Sequence, residues 1–118
     1  MLRYLGSSIL SPVKVLEFLG SSLADIRRFP AEARRDAGFQ LLAVQRGLEP
    51  TDWKPVSSVG AGVKEIRIHV LGEWRVIYVA RFAGAVYVLH CFEKKSRKIR
   101  REDLELARRR YRLIGARL

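Results

Sequence analysis

Three apolar runs, residues 63–70, 74–81 and 86–92, are separated only by Leu71, Gly72 and Glu73 and by a turn at Gly84. Parallel neighbours need crossovers of a dozen residues or more, so connections this short predict an antiparallel meander. The first run sets Val63, Ile66, Ile68 and Val70 against Lys64, Glu65, Arg67 and His69, with imperfect alternation at its start. This pattern turns one face to a core and leaves Arg67 on the other. The second run is rich in β-branched and aromatic residues, which suit a pleated, buried surface.

The segments on either side read as helices. Residues 14–19 alternate weakly and predict a first strand, followed by a turn at Gly20 and Ser21. Ser22 is placed to cap a short helix over 23–28, with Asp25 near its positive end. Pro30 suits the start of a second helix over 31–45, where Ala33, Ala37, Leu41 and Val44 recur at helical period and Phe39 and Leu42 widen the stripe. Gly47 is its expected stop, and the two helices together predict an αα-hairpin. Residues 49–62, with Pro50, Pro55, Gly60 and Gly62, read as a loop. After Phe92 comes a basic loop, then a final helix with acidic residues first, Arg108, Arg109 and Arg110 near its end, and an apolar stripe of Leu104, Ala107, Tyr111 and Ile114. The expected fold is α+β, in the order β-α-α-β-β-β-α: an antiparallel-dominated sheet of about four strands, an N-terminal αα-hairpin and a C-terminal helix. At 118 residues and 48% hydrophobic content the chain suits one core. Residues 13–118 are expected to form that single domain, and residues 1–12 to be a leader or extended arm.

The charge is uneven. Lys and Arg number 23 against 12 Asp and Glu, a net +11. Residues 94–118 alone hold eleven basic residues and three acidic ones. Such an excess points to a polyanionic partner. A DNA-binding regulator fits poorly, because no convincing helix-turn-helix is present. Cys91 is the only cysteine and lies in an apolar run, so it reads as a small core residue in a chain without an internal disulfide. His69 and His90 stand alone, without the further ligands a zinc site needs, so neither metal nor cofactor is expected. No stretch reaches the ~18 apolar residues of a membrane helix. A cytoplasmic location without membrane association is expected.

Several motifs in series carry a resemblance. They run through Phe29 and Pro30; Gly38, Phe39, Gln40 and Leu41; and Val44, Gln45, Arg46, Gly47 and Leu48. Asp52, Trp53, Lys54 and Pro55 follow, then Val59 and Gly60. The strands Glu65-Ile66-Arg67-Ile68 and Trp74-Arg75-Val76-Ile77-Tyr78 and the stretch His90-Cys91-Phe92-Glu93-Lys94-Lys95-Ser96 complete the series. Over residues 13–115 the chain resembles toxins of the RelE/HigB type, in their phage Gp49-like branch. The resemblance implies a microbial-RNase-like fold, a helix-turn-helix antitoxin as partner, and ribosome-dependent endoribonuclease cleavage of mRNA.

RNA cleavage by attack of the 2′-hydroxyl requires removal of its proton, stabilisation of the phosphorane charge and protonation of the leaving 5′-oxygen. Arg75 matches the family's arginine on the third strand and is expected to clamp the scissile phosphate with its planar fork. Arg67 matches a basic residue on the neighbouring strand, as base or charge stabiliser. Lys95 occupies the position near the leaving oxygen. Lys54, Lys94, Arg97, Lys98 and His90 are the expected RNA-binding set. Glu65 stands where some relatives carry a second basic residue; it is a candidate base or a partner for Arg67. The alternative is a non-catalytic RNA- or ribosome-binding protein of phage origin with the same fold.

Overall fold

A computed structural model describes residues 13–117. The leader or arm expected at residues 1–12 lies outside the described residues. The order of elements is β1 (Val15–Phe18), α1 (Ser22–Arg27), α2 (Ala31–Gln45), β2 (Trp53–Pro55), β3 (Val63–Ile68), β4 (Trp74–Val79), β5 (Ala85–Glu93) and α3 (Arg101–Arg117). The fold is α+β, with a sheet ordered β1-β5-β4-β3-β2. The meander β2-β3-β4-β5 is antiparallel throughout. β1 returns through helices and joins β5 in parallel.

The sheet has five strands rather than about four, and the order becomes β-α-α-β-β-β-β-α. The additional strand is β2, inside the segment expected to be a loop. Trp53, Lys54 and Pro55 pair with Ile66, Glu65 and Lys64. Pro55 lacks an N–H, which an edge strand tolerates. The cap expected from Ser22 also differs. Ser21 precedes the helix, its hydroxyl donates to Asp25 Oδ2 at 2.7 Å, and the Ser22 hydroxyl donates to Val88 O at 3.2 Å. Ser22 therefore ties α1 to the sheet.

Each sheet face has its own core. Ala33, Ala37, Leu41 and Val44 of α2 pack with Ile66, Ile68, Val76 and Val88. On the opposite face, Ala107 and Ile114 of α3 pack with Ile77, Val79 and Leu89. A bulge in β5 separates the two patterns. Ile77 pairs with His90 but Tyr78 with Val88, so Leu89 is an extra residue. Leu89 joins the α3-side core whereas Val88 and Cys91 join the other. His90 therefore does not share a face with Val86 and Val88, as uninterrupted alternation predicts; the extra residue shifts the period. Among the described residues no helix is long and apolar enough to cross a membrane.

Candidate functional site

The α3 side of the sheet is only partly covered, and the open part is a cleft of about 360 Å³. Its floor follows from strand register. β4 is the middle strand, and Val76, Ile77 and Val79 on it are fully buried. Arg75 thus projects from a strand hydrogen-bonded on both sides. It lies directly opposite Arg67 on β3 and Phe92 on β5. Two residues earlier on β3, Glu65 shares the Arg67 face and is opposed by Lys54 on β2. Lys94, Arg97 and Lys98 line the cleft from the segment after β5, and Leu104 of α3 adds an apolar wall.

The floor is electrostatically unusual. Glu65 is 2% exposed and Arg75 5% exposed. Glu65 Oε2 and Arg75 Nε are 4.0 Å apart, and neither atom makes a hydrogen bond among the described residues. Buried polar atoms are nearly always paired, so two in one cleft need a reason. Burial raises the Glu65 pKa, an effect offset in part by the charges of Arg75, Lys54, Arg67 and Lys94. A carboxyl moved toward neutrality is better matched to proton transfer than an ordinary surface glutamate.

Carboxylates hold both arginines from their outer side. Arg67 donates from Nε to Asp52 Oδ1 at 3.0 Å, with Nη2 also 3.0 Å from that oxygen. Arg75 Nη1 donates to Glu73 Oε1 at 3.1 Å and to Trp74 O at 3.0 Å. His69 joins the two acids: Nε2 is 2.6 Å from Asp52 Oδ2, and Nδ1 is 2.9 Å from Glu73 Oε1. These hydrogen bonds raise the His69 pKa, the Asp52 bond most, and lower those of Asp52 and Glu73. The sequence gives no period linking Asp52, His69 and Glu73; only pairing of the strands and the β3–β4 turn brings them together.

The expected residues are thus partly gathered. Glu65, Arg67, Arg75, Lys54, Lys94, Arg97 and Lys98 share the cleft. Glu65 faces Arg75, whereas Arg67 pairs with Asp52. Lys95 is not among the cleft's lining residues. Its side chain is 80% exposed, lies 3.7 Å from Glu93 and borders an adjoining depression with Arg100 and Asp103. Its neighbour Lys94 does line the cleft. Its backbone N–H donates to Glu73 O at 2.7 Å, and its ammonium donates to Ser96 O and Arg97 O, each at 2.7 Å. His90 is also outside the cleft. It is buried, stacked on Phe92 at 4.8 Å, with Nε2 2.7 Å from Asp103 Oδ1.

Other aromatic and thiol groups have structural surroundings. Trp74 packs on Phe29 at 4.7 Å, and the Lys64 ammonium lies 4.3 Å from the centre of a Trp53 ring. Cys91 sits in the core on the α2 side, where burial pushes its thiol pKa up. An inert thiol on the far face of the sheet has no route to the cleft.

The fold and site define a small α+β protein with a strongly basic cleft built around one buried carboxyl. Residues 24–112 match the family described as phage derived protein Gp49-like (DUF891), and the chain belongs to that family. A comparison with curated proteins gives no match.

Proposed function

We propose that the chain is the toxin of a toxin–antitoxin pair, with the microbial-RNase-like fold of RelE/HigB toxins, and that it cuts mRNA on the ribosome in the cytoplasm. Its family supports this reading at a general level. The observation that carries it is the Glu65–Arg75 pair, whose facing atoms lie 4.0 Å apart without hydrogen-bond partners among the described residues, on the floor of a cleft whose other charged lining residues are all cations. In the proposed reaction Glu65 takes the 2′-hydroxyl proton as the oxygen attacks phosphorus. Arg75 and Arg67 neutralise the charge gathering on the non-bridging oxygens. The P–O5′ bond breaks, and Lys94, rather than the outward-facing Lys95, protonates or stabilises the departing 5′-oxygen. The products are a 2′,3′-cyclic phosphate and a 5′-hydroxyl. A helix-turn-helix antitoxin is the proposed partner that restrains this activity.

One observation favours a second reading. Both arginines are already engaged by Asp52 and Glu73, and a cleft that keeps them so would bind RNA or the ribosome without cutting. Induced expression with mapping of new mRNA 5′ ends separates the two. Growth arrest with new ends in wild type, both lost in a folded Arg75→Ala variant, supports cleavage. Arrest without new ends supports binding alone, and equal toxicity in Arg75→Ala removes Arg75 from either account.

A further inference from the structure

We propose that His69 is a positioning residue for this cleft: by bridging Asp52 and Glu73 it keeps Arg67 and Arg75 available to an anionic ligand. The proposal rests on the reading of the cleft as a phosphodiester site. Its ground is a continuous line of contacts. Arg67 is held by Asp52, Asp52 by His69, His69 by Glu73, and Glu73 by Arg75. The two ends of that line are the residues directly opposed across β3 and β4.

The charges explain what the imidazole does. Two carboxylates next to two guanidiniums cancel them, and a phosphate approaching such a set meets no net attraction. A protonated His69 between the carboxylates leaves the line with a net positive charge. A neutral His69 removes that surplus and leaves the acids competing with phosphate for the same N–H groups. The line also fixes direction: Asp52 meets His69 through Oδ2 and Arg67 through Oδ1, and Glu73 Oε1 is shared by His69 and Arg75, so neither guanidinium swings freely. The imidazole itself is half exposed, at 51%, which lets it exchange protons with solvent.

The groups facing His69 are Asp52 from the segment before β2 and Glu73 from the turn before β4, with Arg67 and Arg75 behind them. Glu65 titrates in the same cleft, and its ionisation also disfavours anions, so the experiment must separate the two. The full-length chain is titrated with a short single-stranded oligoribonucleotide carrying 2′-deoxy substitutions that block cleavage, across mildly acidic to mildly alkaline pH. The His69 midpoint is located independently by NMR. It should lie above the ordinary histidine value of 6.5 and fall in Glu73→Gln.

Wild-type affinity should drop as pH rises through that midpoint. His69→Gln should bind roughly tenfold more weakly below it, the order expected for one lost charge-assisted contact. That variant should converge with wild type above the midpoint and lose this step while keeping any step due to Glu65. If Arg75→Ala abolishes binding but His69→Gln retains wild-type affinity and pH profile, the role of His69 falls and the cleft reading survives. If Arg75→Ala and wild type bind alike, the cleft reading falls and takes this role with it.

Discussion

Glu65 Oε2 and Arg75 Nε face each other at 4.0 Å on neighbouring strands, both buried, and neither forms a hydrogen bond among the described residues. A structural ion pair of this burial is stable only when good geometry and further hydrogen bonds offset desolvation. Here the geometry stops short of contact. The separation leaves both groups with unused hydrogen-bonding capacity next to a cleft, which is a cost to stability and an asset for binding a charged ligand.

Glu65→Gln should therefore lose RNA cleavage without losing the fold. The carboxyl has its pKa raised by burial. A group whose folded pKa lies above its unfolded value contributes most below the unfolded value, and that contribution is lost as pH rises through the folded one. At neutral pH, above the ordinary glutamate value, burying this carboxyl is thus a liability that glutamine removes. Thermal melts should show Tm for the variant equal to wild type or higher by a few degrees at neutral pH, and the gap should close toward pH 4.5, the ordinary glutamate value. A variant that melts well below wild type at neutral pH would place Glu65 among the supports of the fold.

The cations along the cleft rim should act through salt rather than sequence. Lys98 and Arg97 are exposed and line the cleft from the segment after β5. Each phosphate they neutralise releases counterions, so log affinity for single-stranded RNA falls with log salt by about 0.7 per contact. Lys98→Ala should reduce that slope by about 0.7 and weaken all RNA sequences alike. Binding isotherms at several salt concentrations check this, and an unchanged slope would put Lys98 outside the interface.

Much of the fold was legible because its long elements repeat a period. Val63, Ile66 and Ile68 of β3 and Ala33, Ala37, Leu41 and Val44 of α2 are buried as their spacing requires. β2 was not legible: three residues flanked by Pro50 and ending in Pro55 carry no strand pattern, and tertiary pairing with β3 makes the strand. The bulge at Leu89 was hidden for a related reason, since β5 is apolar on both faces and an extra residue leaves no mark in such a run. In the cleft, the facing of Arg67 was legible from alternation, whereas Arg75 was singled out by the motif that carries the family resemblance. Which of Lys94 and Lys95 lines the cleft was not legible, because it depends on the Lys94 hydrogen bonds beyond the strand. Nor was the Asp52–His69–Glu73 bridge, which is set by side-chain reach between three separate segments.

Arg110 should matter to stability and not to the cleft. It is buried on α3 and donates from Nη1 to Leu89 O at 2.9 Å and from Nη2 to Ser21 Oγ at 2.9 Å. One guanidinium thus ties the C-terminal helix to the bulge of β5 and to the start of α1. Arg110→Ala should cost about 2–3 kcal/mol in urea unfolding, and Arg110→Lys should recover only part of it, because an ammonium lacks the planar fork. Gly20 lies under the same group. A Cβ there collides with the Arg110 side chain on a backbone of φ +55°, so Gly20→Ala should destabilise as well. RNA affinity, measured where both variants are folded, should not change.

The bridge around His69 should leave a two-sided mark on stability against pH. His69 has its pKa raised, first by its hydrogen bond to Asp52, so its contribution is complete below 6.5 and is lost as pH rises through the raised value. Asp52 has its pKa lowered, first by its hydrogen bond to His69, so its contribution is complete above 3.8 and is lost as pH falls through the lowered value. Between these limits both partners are charged and the bridge is intact. The side chains are about half and one third exposed, at 51% and 35%, and solvent screening keeps the effect small. Asp52→Asn removes the partner on which the His69 shift chiefly depends, and the Asp52 carboxyl with it. Its Tm should fall below wild type between the limits, and the two curves should meet again at strongly acid pH and draw closer at alkaline pH, where only the Asp52–Arg67 pair still separates them. Parallel curves across the whole range would mean that Asp52 contributes only packing and that the bridge carries no charge coupling.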